Sequence, residues 1–484
     1  MQFASEFLLV LGISFVAAAI ITLITWRPLV NIMVDSFTKR LLKDPYPENI
    51  GEMYNVFKKV GLQNVLEADL RANNGQALER PFGSPLTFSP WDQLLLNPVY
   101  LTRKPIEEAY SIDLSVLLGP QAKRPLEIKI PVLIGGMGYG FGPSFQTKVA
   151  LAKAATLAGT ATNTGVGPFL VAERQNAQKL IIQYHRGAWG NDEKVLRQAD
   201  MVEIQLGYGA LGSAPVVLFP ENISAELRDY MQLGPDEKLY SNAVLPDITN
   251  SKALAKLVKY LREVTNGVPV GVKIGATQYL EKELALLTAA GIDFISIDGA
   301  EAGVNFGPTL LADSTGLPTL PALCRAKLYL KEQRLDKKIS LIISGGLYTP
   351  GHFLKAIALG ADAVAVGTIT MLLIAHSQLS KVLPWEPPTE LVFERGKAKD
   401  QLRIDEAARN LANYFKSCRE EMILGMRTLG HTSLKELSAK DLCALTPEVA
   451  RITGVELGLF PPGRKGTNSR TINGTKDFMP SSEY

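Results

Sequence analysis

A chain of 484 residues, 46% hydrophobic and 20% charged, can bury a large core, which excludes global disorder. A formal net charge of +3 and a body without a basic tract give no support to a nucleic-acid surface. The three cysteines, Cys324, Cys418 and Cys443, lie far apart, and the four histidines form no metal-spaced pair. No disulfide framework and no metal site is therefore expected, and a reducing compartment fits.

Residues 7–26, FLLVLGISFVAAAIITLITW, carry no charge and match the roughly 20 apolar residues needed to cross a bilayer. Trp26 and Arg27 mark an interface, and Lys39, Arg40 and Lys43 follow. This charge order predicts an uncleaved anchor over residues 1–43 with the body on the cytoplasmic side. A cleaved signal peptide is the alternative, but MQFASE lacks its basic start. Residues 44–127 are rich in proline and turns and read as an arm packed on the main domain.

From residue 130 to 368, strand-like and helix-like runs alternate. The strands are predicted at 130–136, 160–164, 179–185, 200–206, 269–274, 293–298, 339–344 and 362–366. Runs apolar on both faces indicate parallel strands. Eight such units predict an α/β protein, a (β/α)8 TIM barrel over residues 128–385, rather than an open doubly wound sheet. A helical extension is expected over 386–460, including a long helix at 403–427 and capping boxes at Ser433/Glu436 and Ser438/Asp441. The polar, glycine-rich 461–484 reads as a flexible tail.

Barrel sites sit where strands end at the carboxyl face. In strand order these ends carry Gly136 and Met137, then Asn163 and Thr164, then Gln183 and Arg186, then Gln205. The later strands end in Lys273, in Asp298 and Gly299, in Gly345 and Gly346, and in Gly367 and Thr368. Glycine at the last two ends leaves backbone N–H groups uncovered, which suits a phosphate. The amides suit a flat heterocycle with alternating C=O and N–H, such as an isoalloxazine. Lys273 then stands to stabilise the negative charge of a reduced flavin, or to pair with Glu203 or Asp298 as a structural bridge.

The ordered pieces ERPFGSPLTFSPWDQLLLNP, IPVLIGGMGYG, GTATNTGVGP, QYHRGAWG, VEIQLGYGALG, VPVGVKIGA, FISIDGAEAG, LIISGGLYTPG and GADAVAVGT resemble the FMN-binding domain of glutamate synthase, in its stand-alone form. The resemblance runs from about Glu79 to Thr368, and more loosely through LGHTSLKELSAKDL. It implies an FMN-binding barrel and, in the full-length enzyme, reductive amination of 2-oxoglutarate with ammonia from a glutaminase domain.

The departures from that pattern shape the expectation. ITMLLIAHSQLSKVLPW holds no cysteine, so no iron–sulfur cluster is expected. The usual loop glutamate is Val166, and the usual lysine, glutamine and second lysine are Gln205, Tyr208 and Leu211. The expected protein is a membrane-anchored FMN oxidoreductase acting on a small amine, imine or 2-oxo acid, with electrons from a separate donor. In that picture Lys273, Gln205, Arg186 and Tyr208 are catalytic, and the loop 207–214 closes over the substrate. A glutamate synthase subunit and a non-catalytic FMN-binding module are the alternatives.

Overall fold

The structure, a computed structural model, describes residues 2–43, 58, 61–74, 78–187, 189–304 and 307–459. The expected tail, 461–484, lies outside the described residues, as does 44–57 of the expected arm. Two compact units divide the chain, Met1–Leu78 and Glu79–Tyr484. The first holds one continuous helix, Gln2–Lys43, and a shorter one, Leu62–Asn74. Among the described residues, Val10–Lys43 is the one stretch of helix long and apolar enough to cross a membrane.

The second unit is built on eight parallel strands: β1 (Val132–Ile134), β2 (Thr162–Asn163), β3 (Leu180–Tyr184), β4 (Met201–Gln205), β5 (Val270–Gly275), β6 (Phe294–Asp298), β7 (Ser340–Ser344) and β8 (Ala363–Val366). Each pairs with its sequence neighbour from β2 to β8, and β8 pairs back onto β1. The circle meets where the Ile134 N–H donates to the Ala161 carbonyl at 3.0 Å. All eight expected strands are present, and the meeting ends rule out the open sheet.

Strand alternation sorts the side chains. Val132, Ile134, Leu180, Ile182, Val202, Ile204, Ile295 and Ile297 pack outward in the core shared with the helices. Leu133, Ile181, Met201, Phe294 and Ile342 form a separate inner cluster. Leu118, Leu126 and Ile128 join that inner cluster from an antiparallel hairpin, Val116–Leu118 with Leu126–Ile128, which plugs one end. Gly271 has no side chain because a Cβ there would lie 2.4 Å from the Phe294 ring. Two residues further along each strand the same inward series turns polar, at Gln183, Glu203, Lys273, Ser296 and Ser344, with Asp298 following Ser296 on β6.

The helix Phe145–Ala158 follows β1, with Ser144 accepting from the Thr147 N–H at one end and left-handed Gly159 at the other. The helix Ile404–Thr428 packs across it, burying Leu411, Phe415, Met422 and Met426 on one stripe. The Ser438/Asp441 capping box forms. The expected Ser433/Glu436 box does not: Ser433 accepts from the Lys435 N–H, while Glu436 turns to Thr432 and His431. His431 is held between Glu436 and Asp441, which draws Glu436 out of the box.

One buried cation ties the first two strand ends together. Lys148 donates to the carbonyls of Met137 and Asn163 at 2.9 Å each and of Thr164 at 3.2 Å. Its counter-ion is Glu173 at 2.8 Å, both side chains 1% exposed. Removing one partner of such a pair leaves an uncompensated buried charge. Lys148→Met is expected to lower unfolding free energy by about 3–5 kcal/mol in urea denaturation, with Lys148→Met/Glu173→Gln recovering part of the loss.

Candidate functional site

The strand ends open into a cavity of about 1160 Å³, counted to its open mouth. Its wall along β7 and β8 is backbone. Gly345, Gly346, Leu347, Gly367, Thr368 and Ile369 line the cavity, and their N–H groups make no hydrogen bond with any described residue. Two of them begin the helix Thr368–Ala375, whose first N–H groups have no partner within a helix. Gly345 and Gly346 adopt φ of +119° and +67°, which a side chain tolerates poorly. A Cβ at Gly345 would also lie 2.5 Å from Thr319 Oγ1. At Gly367, by contrast, φ is −123° and a Cβ would meet only Met137 Sδ, at 4.0 Å. This concave set of free donors at a helix start fits the phosphate of a nucleotide cofactor.

The opposite wall is a polar network. Lys273 Nζ lies 3.0 Å from Asp298 Oδ1. Asp298 also accepts from Ser344 Oγ and, at 3.2 Å, from the Gly209 N–H. Burial works against the Lys273 charge, but Asp298 and Glu203 outweigh it and hold its pKa above the ordinary lysine value. Of the two bridges open to Lys273 in sequence, the direct one is to Asp298. Glu203 instead accepts from Asn163 Nδ2 at 2.9 Å and Gln183 Nε2 at 2.8 Å, both on Oε1. Among the residues lining the cavity Lys273 is the one lysine or arginine.

Gly136, Met137, Gln183, Tyr208, Lys273, Asp298, Gly345, Gly346, Gly367 and Thr368 come together on the cavity wall. Asn163, Thr164, Gln205 and Gly299 stand behind it. Arg186, expected on the substrate side, is displaced from it. The guanidinium is fully buried, donating through Nε to Gln205 Oε1 at 2.9 Å and through Nη1 to the carbonyls of Ser213 and Ala243 at 2.8 Å each. Arg186 thus latches the 207–214 loop. That loop is a tight turn in which the Gly212 N–H donates to the Tyr208 carbonyl at 2.8 Å. Burial pushes the Tyr208 hydroxyl up to about 12, so it stays protonated at neutral pH.

Sequence reading missed Glu203 as a bridging acceptor, Lys148 as the strand-end clamp, and Phe82 and Glu301 on the cavity wall. The inward alternation of MVEIQ was the available signal for Glu203. Nothing local marks Phe82, which reaches the cavity from before the barrel and donates its N–H to the Val304 carbonyl at 3.0 Å.

An eight-stranded parallel barrel with uncovered backbone donors and a buried lysine at the carboxyl ends of its strands places the chain in the (β/α)8 class, whose sites lie at that face. The conserved region of glutamate synthase matches residues 98–432. The chain is 33% identical to the glutamate synthase large subunit-like protein of Rhizobium meliloti, over 78% of this chain and 89% of that one. It is 31% identical to the archaeal-type glutamate synthase (NADPH) of Dehalococcoides mccartyi, over 58% of this chain and 59% of that one. A solved mutant flavocytochrome b2 with benzoylformate aligns at 14% identity and a TM-score of 0.46, covering 81% of this chain and 84% of that one. The chain belongs to the glutamate synthase family of oxidoreductases.

His185, at the end of β3, supports the rim. Its Nδ1 accepts from the Gly187 N–H at 3.2 Å, and its ring lies 5.4 Å from Trp189, which stacks on Phe141 of the cavity wall. Burial pushes its pKa down to about 4, below the unfolded value of about 6.5. The unfolded chain therefore binds more protons between those values, and stability falls as pH drops from about 6.5 to about 4, by roughly 3 kcal/mol from this group. Urea midpoints measured across that window are expected to fall less steeply in His185→Asn than in the wild type.

Proposed function

We propose that the chain is an FMN-dependent oxidoreductase, anchored to a membrane by its N-terminal helix with the barrel on the cytoplasmic side. It exchanges reducing equivalents between the flavin and a small amine, imine or 2-oxo acid, with electrons supplied or taken up by a separate donor. The observation that carries this reading is the set of six free N–H groups after β7 and β8, opening into the same cavity as Lys273. Arg27, Lys39, Arg40 and Lys43, which follow the apolar run, support the cytoplasmic orientation.

The flavin, when bound, supplies hydride acceptance and return. The residues supply the rest. The β7 and β8 N–H groups and the start of the helix Thr368–Ala375 hold the phosphate. Lys273 keeps an ammonium where negative charge gathers on reduction. Gln183 and Met137, both on the cavity wall, would border the ring, with Asn163 holding Glu203 and Gln205 holding Arg186 behind them. Tyr208, Leu211, Val216 and Val304 form an apolar wall that limits water on the substrate side. The segment after Thr368 offers no cysteine, so the reading includes no iron–sulfur cluster.

Glutamate formation from 2-oxoglutarate and ammonia is the second reading, favoured by the names of the relatives. Against it stands the wall itself. Val166, Tyr208 and Leu211 line the cavity, and the lining lysine is already paired with Asp298. Two carboxylates would find little positive charge there.

The direct test is anaerobic titration of the flavin-loaded full chain with amino acids, 2-oxo acids, reduced ferredoxin and NAD(P)H. Bleaching of the flavin band by at least one donor is expected. Protein that takes up no flavin, or bound flavin that no donor reduces, contradicts the proposal. Gly367→Ala is expected to keep the wild-type unfolding midpoint while binding FMN at least ~10-fold more weakly, since its new methyl enters the cradle. Lys273→Met is expected to lower the two-electron potential of the bound flavin by roughly 30 mV or more, equal to about 1.4 kcal/mol.

A further inference from the structure

Glu203 belongs to no part of the function proposed above, yet it sits at the centre of the polar wall. It is 4% exposed and faces inward from β4. One carboxylate oxygen, Oε1, accepts from both Asn163 Nδ2 and Gln183 Nε2. Its direct partners are amides, and the nearby cation, Lys273, is bonded to Asp298. An ionised carboxylate only accepts hydrogen bonds, so both amides must turn their NH2 ends toward it. The other end of Asn163 is already engaged, since its Oδ1 accepts from the Gly165 N–H at 2.9 Å. The other end of Gln183 is not: Oε1 accepts no hydrogen bond from the described residues, and Gln183 lines the cavity. Gly136 leaves room for this pair, because a Cβ there would lie 3.0 Å from both Asn163 Oδ1 and Gln183 Nε2.

We infer that Glu203 is a positioning residue that locks the Gln183 amide so that its oxygen, not its nitrogen, faces the cavity as a fixed acceptor for a ring N–H of the ligand. This rests on the flavin reading, in which the matching donor is the N3–H of the isoalloxazine. Glu203 touches no ligand in this account. It acts by disfavouring the flipped amide, which would set the Gln183 carbonyl oxygen against the Glu203 carboxylate, acceptor facing acceptor, and turn the NH2 toward the ring N–H.

The test compares FMN with N3-methyl-FMN, which lacks that donor, by fluorescence titration of the full-length apoprotein. The wild type is expected to bind FMN at least ~10-fold more tightly than the methylated analogue. Glu203→Met removes the acceptor and is expected to bring the ratio close to one, while Glu203→Gln, which keeps a carbonyl oxygen, retains more of it. A merely structural role would shift unfolding midpoints and leave the ratio intact. If the wild type binds neither flavin, the flavin reading itself fails. If it binds both equally, or if Glu203→Met keeps the full ratio, the flavin reading stands and the role of Glu203 is overturned. Should Glu203→Met fail to fold, the wild-type ratio and that of Glu203→Gln still decide: a wild-type ratio near one overturns the inference.

Discussion

A strand in a closed parallel barrel turns every second side chain inward, and the site depends on that constraint. Along β3, β4, β5, β6 and β7 the inward register passes from Ile181, Met201, Gly271, Phe294 and Ile342 to the polar Gln183, Glu203, Lys273, Asp298 and Ser344. The lower layers exclude water and fix the strands. The upper layer inherits their positions, so groups distant in sequence meet within hydrogen-bonding distance. A one-residue slip in any strand would send its polar group into the helical layer.

Buried charge in and around the barrel is mostly arranged in pairs. Lys148 answers Glu173, and Lys273 answers Asp298 with Glu203 close by. Arg186 takes two carbonyls and an amide rather than a carboxylate, and its buried Nη2 has no hydrogen-bond partner among the described residues. Moving any one partner of these pairs would strand a charge. The backbone donors after β7 and β8 are the exception. They are left open together and on one side of the cavity, and that asymmetry points to an external anion.

Seven of the eight strands were legible because each is a short apolar run closed by glycine or a polar residue, as in ISLIISGG and ADAVAVGT, while β2 lies in the polar TATNT and was marked by its place in the alternation and the glycine after it. The cradle was legible for the same reason, since Gly345, Gly346 and Gly367 follow directly on strands. What sequence order does not carry is direction at the strand end. Arg186 lies beyond the last strand residue of β3, where the chain has already turned, and its guanidinium reaches back behind Gln205 rather than into the cavity. Glu203 was legible in sequence only as a partner for Lys273, because a buried carboxylate is expected to seek a cation, and here it takes two amides. Phe82 reaches the cavity from before the barrel and Glu301 from the turn just after β6, and no local period records either.

The flavin reading stands on the phosphate cradle, and one comparison tests it most directly: titration of the full-length apoprotein with FMN and with riboflavin, which differ only in the phosphate. Six free N–H donors predict that FMN binds at least about 100-fold more tightly, about 2.7 kcal/mol. Equal affinity for the two flavins would contradict it.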